Sequence, residues 1–331
     1  MNLQNSGNIP SILKTPKLPV IAAPLFIISV PELVIAQCKA GVIGSFPALN
    51  AREKEGEPIE LEKWLKKITE ELDKHNQKNP DNPAAPFAVN QIVHRSNTRL
   101  MRDIEICVKW KVPIWITSLG ARPEVNEAAH SCGGVVLHDI INNTFARKAI
   151  DRGADGLIAV AAGAGGHAGP QSPFALLQEI REWFNGPLLL SGSIATGNAL
   201  LASLIMGADL GYIGSPFIAT EEANASKIYK NMIVDSTAED ILLSSLFTGV
   251  SGNYLKPSIE NAGMDPNNLK DGSVRDMNFD PKRDKPKTWS EIFGCGQGIS
   301  KIKSIDTVSQ FVKNLDDEYR NAIAEFKSKF S

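Results

Sequence analysis

The chain has 331 residues, 43% of them hydrophobic, with 35 basic against 37 acidic side chains. That length can bury a full core as one large domain or two small ones, and the balanced charge, with no basic stripe among aromatics, argues against nucleic acid as a partner. The longest apolar run, Val20 to Val30, is interrupted by Pro24, ends at Pro31 and is too short to span a bilayer, so no membrane association is expected.

The polar stretch Met1–Pro10 lacks the basic-then-apolar order of a signal peptide. From there strands are predicted to start near residues 20, 42, 87, 113, 134, 156, 187 and 210. Four follow a glycine that suits the end of a helix (Gly41, Gly133-Gly134, Gly153, Gly207), and four begin at a proline (Pro19, Pro86, Pro113, Pro187). Amphipathic stretches fill the intervals: Pro31–Ala40, Ile59–His75, Thr98–Trp110, Pro123–Ser131, Asn143–Arg152, Phe174–Phe184 and Gly197–Met206. Eight strands alternating with helices imply a parallel α/β architecture, and that number favours a closed (β/α)8 TIM barrel over an open doubly wound sheet. The absence of GxGxxG after the first strand, and the late position of the glycine loops, point the same way. We therefore expect a barrel over residues 1–235 and an additional C-terminal helical and loop segment over 236–331, packed on it. In that segment Thr237–Val250 reads as a helix and Asn261–Lys287 as an extended loop. Thr307–Phe330 reads as a helix with Val308, Phe311, Leu315, Tyr319, Ile323 and Phe326 on one face. That last helix suits the barrel exterior, a lid or a homodimer surface.

In a barrel, the carboxyl ends of the strands carry the chemistry. Strand one ends in Ala22-Ala23-Pro24-Leu25, where small residues let a flat ring approach the backbone. Strand three ends at Asn90-Gln91, whose amides could pair with a heterocycle. Strand five ends at His138-Asp139. Strand six runs into Gly163-Ala-Gly-Gly-His-Ala-Gly169, a glycine loop that offers N–H groups to an anion and carries His167, a side chain suited to moving a proton near neutral pH. Strands seven and eight both end in Gly-Ser, at Gly192-Ser193 and Gly214-Ser215; two such turns beside a third glycine loop read as a phosphate site. His138 is either a site residue or a hydrogen-bond anchor, whereas His75, His94 and His130 read as surface residues. No histidine pair has ligand spacing, so a catalytic metal is not expected. Four scattered cysteines without a CxxC pair fit reduced thiols in a cytoplasmic protein.

With these motifs in place, Ala22-Ala-Pro-Leu25, Gly165-Gly-His-Ala-Gly169, Ser191-Gly-Ser-Ile194 and Gly207-Ala-Asp…Ile213-Gly-Ser-Pro-Phe217, the chain resembles the nitronate monooxygenase (2-nitropropane dioxygenase) family of FMN-dependent barrels. The resemblance implies FMN across the barrel mouth. Its phosphate would lie on Gly192, Ser193, Gly214 and Ser215 with Gly166 nearby, its ring over Ala23-Pro24, and Asn90 at the ring edge. It also implies His167 as the base that takes the α-proton of a nitroalkane, with O2 as the second substrate and a carbonyl compound and nitrite as products. Where some relatives carry a lysine near the flavin pyrimidine, this chain aligns Asp139. An anionic carboxylate there would disfavour a reduced, anionic flavin unless the side chain turns away. Competing expectations are a related FMN-dependent NAD(P)H enoyl reductase of acyl-carrier substrates or a quinone-type reductase, an FMN-binding sensor, and a flavin-free isomerase barrel.

Overall fold

A computed structural model describes residues 9–53, 56, 58–269 and 291–330. The strands, in chain order, are β1 (Val20–Ala22), β2 (Gly44–Pro47), β3 (Phe87–Ile92), β4 (Ile114–Ser118), β5 (Val135–Ile140), β6 (Gly156–Val160), β7 (Gly166–His167), β8 (Leu188–Ser191), β9 (Leu210–Ile213), β10 (Ile241–Ser244) and β11 (Gly252–Leu255). Eight of them pair in the order β1-β9-β8-β6-β5-β4-β3-β2, all parallel, and a bridge between Ile21 and Ile43 closes the ring. The predicted (β/α)8 barrel is the observed fold.

The seven helices between barrel strands are α1 (Pro31–Ala40), α2 (Ile59–Lys78), α3 (Leu100–Lys109), α4 (Pro123–Ser131), α5 (Asn143–Asp151), α6 (Pro173–Arg181) and α7 (Gly197–Ile205). The local chemistry explains where they start and stop. Proline opens α1, α4 and α6 within the first turn, where its missing N–H is no loss. The side chains of Asn142 and Thr196 accept from the first turns of α5 and α7. Gly41 ends α1 at φ 100°, a left-handed conformation that a side chain would strain.

Alternation along the strands sorts two apolar layers. Ile21, Ile43, Ala88, Ile114, Ile116, Leu137, Ile158, Leu189, Leu210 and Tyr212 fill the barrel interior. Leu13, on a short 3-10 turn at Ser11–Lys14, joins that inner cluster near the amino ends of the strands, together with Ala85. The opposite faces, including Val20, Phe46, Val89, Trp115, Val136 and Leu157, pack against the helices.

After β9 come α8 (Ser215–Ile218), α9 (Lys227–Asp235), α10 (Lys256–Asn261) and α11 (Val308–Phe330). The helix predicted over Thr237–Val250 is not formed. Thr237 and Asp240 cap each other around a 3-10 turn, and the chain then runs as β10 into a turn at residues 245–250. Its apolar residues serve a three-stranded sheet, in which β11 pairs antiparallel with both β10 and β7. Of the predicted loop Asn261–Lys287, residues 270–287 lie outside the described residues. The final helix crosses α1 and α7 on the barrel exterior, anchored where Glu318 accepts from the N–H of Gly197 at 2.8 Å. Its buried face is Val308, Val312, Leu315 and Ala322, with Phe311 and Tyr319 partly buried. Phe326 is exposed because the helix outruns its support. No helix of the described residues is long and apolar enough to cross a membrane.

Candidate active site

At the carboxyl ends of the strands the barrel interior turns polar. Asn90 faces inward with Ala88, is 3% exposed, and donates from Nδ2 to Ser118 Oγ at 2.8 Å and to the Ile116 carbonyl at 3.2 Å. That leaves its Oδ1 as the acceptor. Ser118 also bonds the carboxyl of Asp139, as does the N–H of Leu119, which sits at φ 62°. Asp139 therefore does not turn out of the barrel; it shares the inward face of Leu137. Burial pushes its carboxyl up to about 6, with those two hydrogen bonds pulling the other way. Tyr212, opposite Ser191 in the ladder, has a phenol pushed well up by burial and by the Asp139 charge.

Gln91 points the other way, toward Cys107 on α3, and has no share in this inner layer. His138 likewise faces the helix layer, 2.6 Å from Thr117 Oγ1, and burial lowers its pKa to about 4. It is a neutral anchor between β4 and β5.

The loop after β1 carries Ala23 and Pro24, and Ala23 N–H bonds the Ile213 carbonyl at 2.7 Å, tying this loop to the end of β9. Asn50, which follows β2, fixes the loop's far side. Its Oδ1 accepts from Ile27 N–H at 2.9 Å, and its Nδ2 donates to the carbonyls of Leu25 and Ser29. These bonds hold Ile27, a β-branched residue, at φ 69°. Asn50 was not singled out from the sequence; nothing in Pro47-Ala-Leu-Asn50 marks it as a clamp on a loop 23 residues away.

The glycine loops after β6, β8 and β9 come together. A Cβ on Gly163 would lie 2.3 Å from Ser193 Oγ, and one on Gly214 would lie 3.5 Å from the Ala23 Cβ. Gly192 at φ 140° and Ser193 at φ 58° turn the chain sharply after β8. Among the described residues, the N–H groups of Gly192, Ser193, Gly214 and Ser215 enter no main-chain hydrogen bond outside helices and strands. Oriented donors of this kind are the donor set a phosphate requires.

A segment from beyond the barrel threads between these loops. Gly296 N–H donates to Ser215 Oγ at 2.8 Å, so the Ser215 proton is left to donate, and Gln297 N–H donates to the Gly163 carbonyl at 2.9 Å. A Cβ on Gly165 would lie 2.7 Å from Gly296 N.

The β6 loop is held differently. Gly166 and His167 form β7, opposite Asn253 and Gly252 of β11. Asn253, 2% exposed, donates to the Ala164 carbonyl at 2.6 Å. His167 Nε2 lies 2.9 Å from Thr248 Oγ1, and burial lowers its pKa to about 4. At neutral pH the imidazole is uncharged, the form that can accept a proton. Thr248, Asn253 and Gly296 all lie beyond the last of the motifs, which ends at Phe217. The repeating strand-and-helix pattern ends at β9, and these partners are brought back by tertiary contacts alone.

The model of the family described as nitronate monooxygenase matches residues 11–318. A protein described as a nitronate monooxygenase in Staphylococcus aureus is 26% identical over 157 residues, which cover 44% of this chain and 44% of that protein. A (3aS,4S,5R,7aS)-5-hydroxy-7a-methyl-1-oxo-octahydro-1H-indene-4-carboxyl-CoA dehydrogenase of Rhodococcus jostii is 23% identical over 244 residues, 74% of this chain and 64% of that protein. The matched stretches thus span less than two thirds of these relatives. Among solved structures, FabK from Thermotoga maritima superposes with a TM-score of 0.75 at 20% identity, over 96% of this chain and 97% of that one. A nitroalkane oxidase from Streptomyces ansochromogenes does so with a TM-score of 0.73 at 20% identity, over 96% and 100%. At such identities the likeness is one of fold.

Proposed function

The chain belongs to the nitronate monooxygenase family, a family of flavin-dependent oxidoreductases, and from that premise we propose that it is an FMN enzyme oxidising alkyl nitronates and nitroalkanes with O2 to carbonyl compounds and nitrite. The observation that carries the reading is the pairing of two consecutive Gly-Ser turns, whose N–H groups find no main-chain partner outside helices and strands among the described residues, with a neutral histidine on the adjoining loop.

The residues present fit the cofactor. Gly192, Ser193, Gly214 and Ser215 would hold the phosphate, with Gly166 beside them. Ala23 and Pro24 would form the floor for the ring, and Asn90 Oδ1 would accept from its edge. Asp139 is the one residue in tension with that group, and its raised pKa reduces the conflict only as the pH falls toward 6. Bound FMN would supply the electron transfer between substrate and O2. The chain's own part is positional: β1, β6, β8 and β9 set a platform and a cradle, and the His167 imidazole takes the α-proton of a nitroalkane. A nitronate, already deprotonated, does not need that step.

The test is an absorption spectrum of the purified protein, followed by anaerobic addition of propyl-2-nitronate and, separately, NADPH. A bound-flavin spectrum bleached by the nitronate and unchanged by NADPH is the expected result. Reduction by NADPH alone would replace this reading with a reductase acting on enoyl or quinone substrates, and a protein that neither holds nor takes up flavin would refute both.

A further inference from the structure

The polar inner layer at the barrel mouth holds one buried donor that the protein itself leaves idle. Tyr212 faces inward from β9 and belongs to the apolar cluster of Ile158, Leu189 and Leu210, yet its hydroxyl has no hydrogen-bond partner among the described residues. The residue is 8% exposed, and the hydroxyl is part of what stays open, since it is not one of the fully enclosed polar atoms without a partner. A buried phenol ordinarily finds a partner, and phenylalanine would fill the same cluster without an idle donor. The neighbours fix its place. Ile213, the next residue, accepts from Ala23 N–H, and a Cβ on Gly214 would lie 3.5 Å from the Ala23 Cβ. Tyr212 thus lies just inside the junction of the Ala23-Pro24 floor and the Gly214-Ser215 turn, and Ala23 packs against the same inner cluster.

Across this layer Asn90 has both Nδ2 bonds committed, to Ser118 and Ile116, and its Oδ1 is open and unpartnered. The Asp139 carboxyl already accepts from Ser118 and from Leu119 N–H. Burial, and then the Asp139 charge, push the Tyr212 phenol well up, so it keeps its proton and can donate it to a hydrogen bond. One open donor and one open acceptor therefore face the mouth, the complement of a carbonyl beside an N–H. The pyrimidine ring of a flavin has that edge. We propose that Tyr212 is a further cofactor-binding residue, its hydroxyl donating to a pyrimidine carbonyl of the flavin while Asn90 Oδ1 accepts from the adjoining ring N–H. The inference rests on the FMN reading above for the identity of the ring, but not on the nitro substrate. Hydrogen bonds strengthen as the acceptor gains negative charge, so this donor favours the reduced ring. It offsets part of what the Asp139 carboxylate takes away, with no cation in the layer.

The experiment compares the full chain with Tyr212→Phe, which keeps the aromatic ring in its cluster and removes the hydroxyl alone. Titration of the flavin-stripped chains with FMN should show binding weakened roughly three- to tenfold in the variant, the loss of one hydrogen bond. A tenfold preference of the hydroxyl for the reduced ring corresponds to about 30 mV in a two-electron couple, so the midpoint potential should fall by up to about that much. Difference infrared spectra with FMN carrying 13C at one or the other pyrimidine carbonyl should show one of the two bands rise in frequency. Tyr212→Met serves if the phenylalanine variant is poorly folded. Unchanged affinity, potential and carbonyl bands in a flavin-loaded variant would overturn the proposal and leave the proposed function standing. The expected shifts in a protein reduced by NADPH and not by a nitronate would support the proposal while refuting that function. A chain that takes up no flavin would overturn both.

Discussion

Two kinds of glycine loop meet at the same end of this barrel, and they use their backbones in opposite ways. After β8 and β9, Gly192-Ser193 and Gly214-Ser215 keep N–H groups outside the main-chain network of the described residues. After β6, the Gly166-His167 pair is built into a sheet with β11, and a buried Asn253 ties down Ala164. Donors left out of the main-chain network suit a ligand that brings its own acceptors, as a phosphate does. A backbone already paired suits a loop whose task is to hold one side chain still. Glycine-rich sequence alone does not distinguish the two; the partner of each backbone does.

The comparison predicts that the two kinds of loop can be damaged independently. The largest effect is expected from His167→Ala. It should keep flavin bound while activity on a protonated nitroalkane falls at least about a hundredfold, because the cradle is on other loops. Flavin loss in this variant, measured by absorbance after gel filtration, would break the division.

Next in size is a pH effect at Asp139. Its carboxyl titrates at about 6 in the fold against about 3.9 in an unfolded chain. The folded state therefore holds this proton more tightly. The stability it adds is complete below about pH 4 and is lost as pH rises through 6, on the order of 3 kcal/mol in all. Asp139→Asn should flatten that slope, followed by urea midpoints between pH 4 and 7. An unchanged slope would show that the carboxyl is better solvated than its place beside Ser118 and Tyr212 implies. The same substitution should make bound flavin easier to reduce, by removing a negative charge.

Asn253→Ala tests the paired loop from its partner side. The Ala164 carbonyl would lose its buried donor at a cost of about 1–3 kcal/mol. Activity should fall with flavin content unchanged, since the Asn253 side chain bonds the β6 loop while its main-chain contacts survive the substitution. Equal loss of both would mean that the loops act as one body.

Much of this architecture is legible in the sequence because strands covered on both faces read as short apolar runs and the intervening helices as amphipathic ones. Pro31, Pro123 and Pro173 mark helix starts directly. The extension departs from its local sequence pattern where that pattern meets a tertiary demand. Thr237–Val250 has helical apolar spacing, yet Leu242 and Phe247 are used in a small cluster with Tyr254 and Ile259. In the candidate site, histidine and glycine are visible because their chemistry is rare. Ser118, Asn50 and Thr248 are ordinary residues whose role depends on which distant group lies within 3 Å, and no spacing encodes that. Asp139 falls between: its alignment against a lysine is visible in sequence, but only its neighbours show how burial mutes the charge.

The smallest expected effect sharpens the cradle itself. Ser193 occupies φ 58°, a left-handed conformation that costs a non-glycine residue about 1–2 kcal/mol. Ser193→Gly would remove that cost but add unfolded-chain entropy worth about 0.5–1 kcal/mol, so stability should change by less than about 1 kcal/mol. The hydroxyl has little to hold it within the protein, since its contact with the Gly163 carbonyl is 3.5 Å long and the residue is exposed. A strained serine with a poorly used hydroxyl in the turn between β8 and α7 makes sense if that hydroxyl serves a bound phosphate. Ser193→Gly should then weaken flavin binding severalfold by equilibrium titration while its N–H still contributes. Unchanged affinity would assign the cradle to main-chain donors alone and leave Ser193 without a part in it.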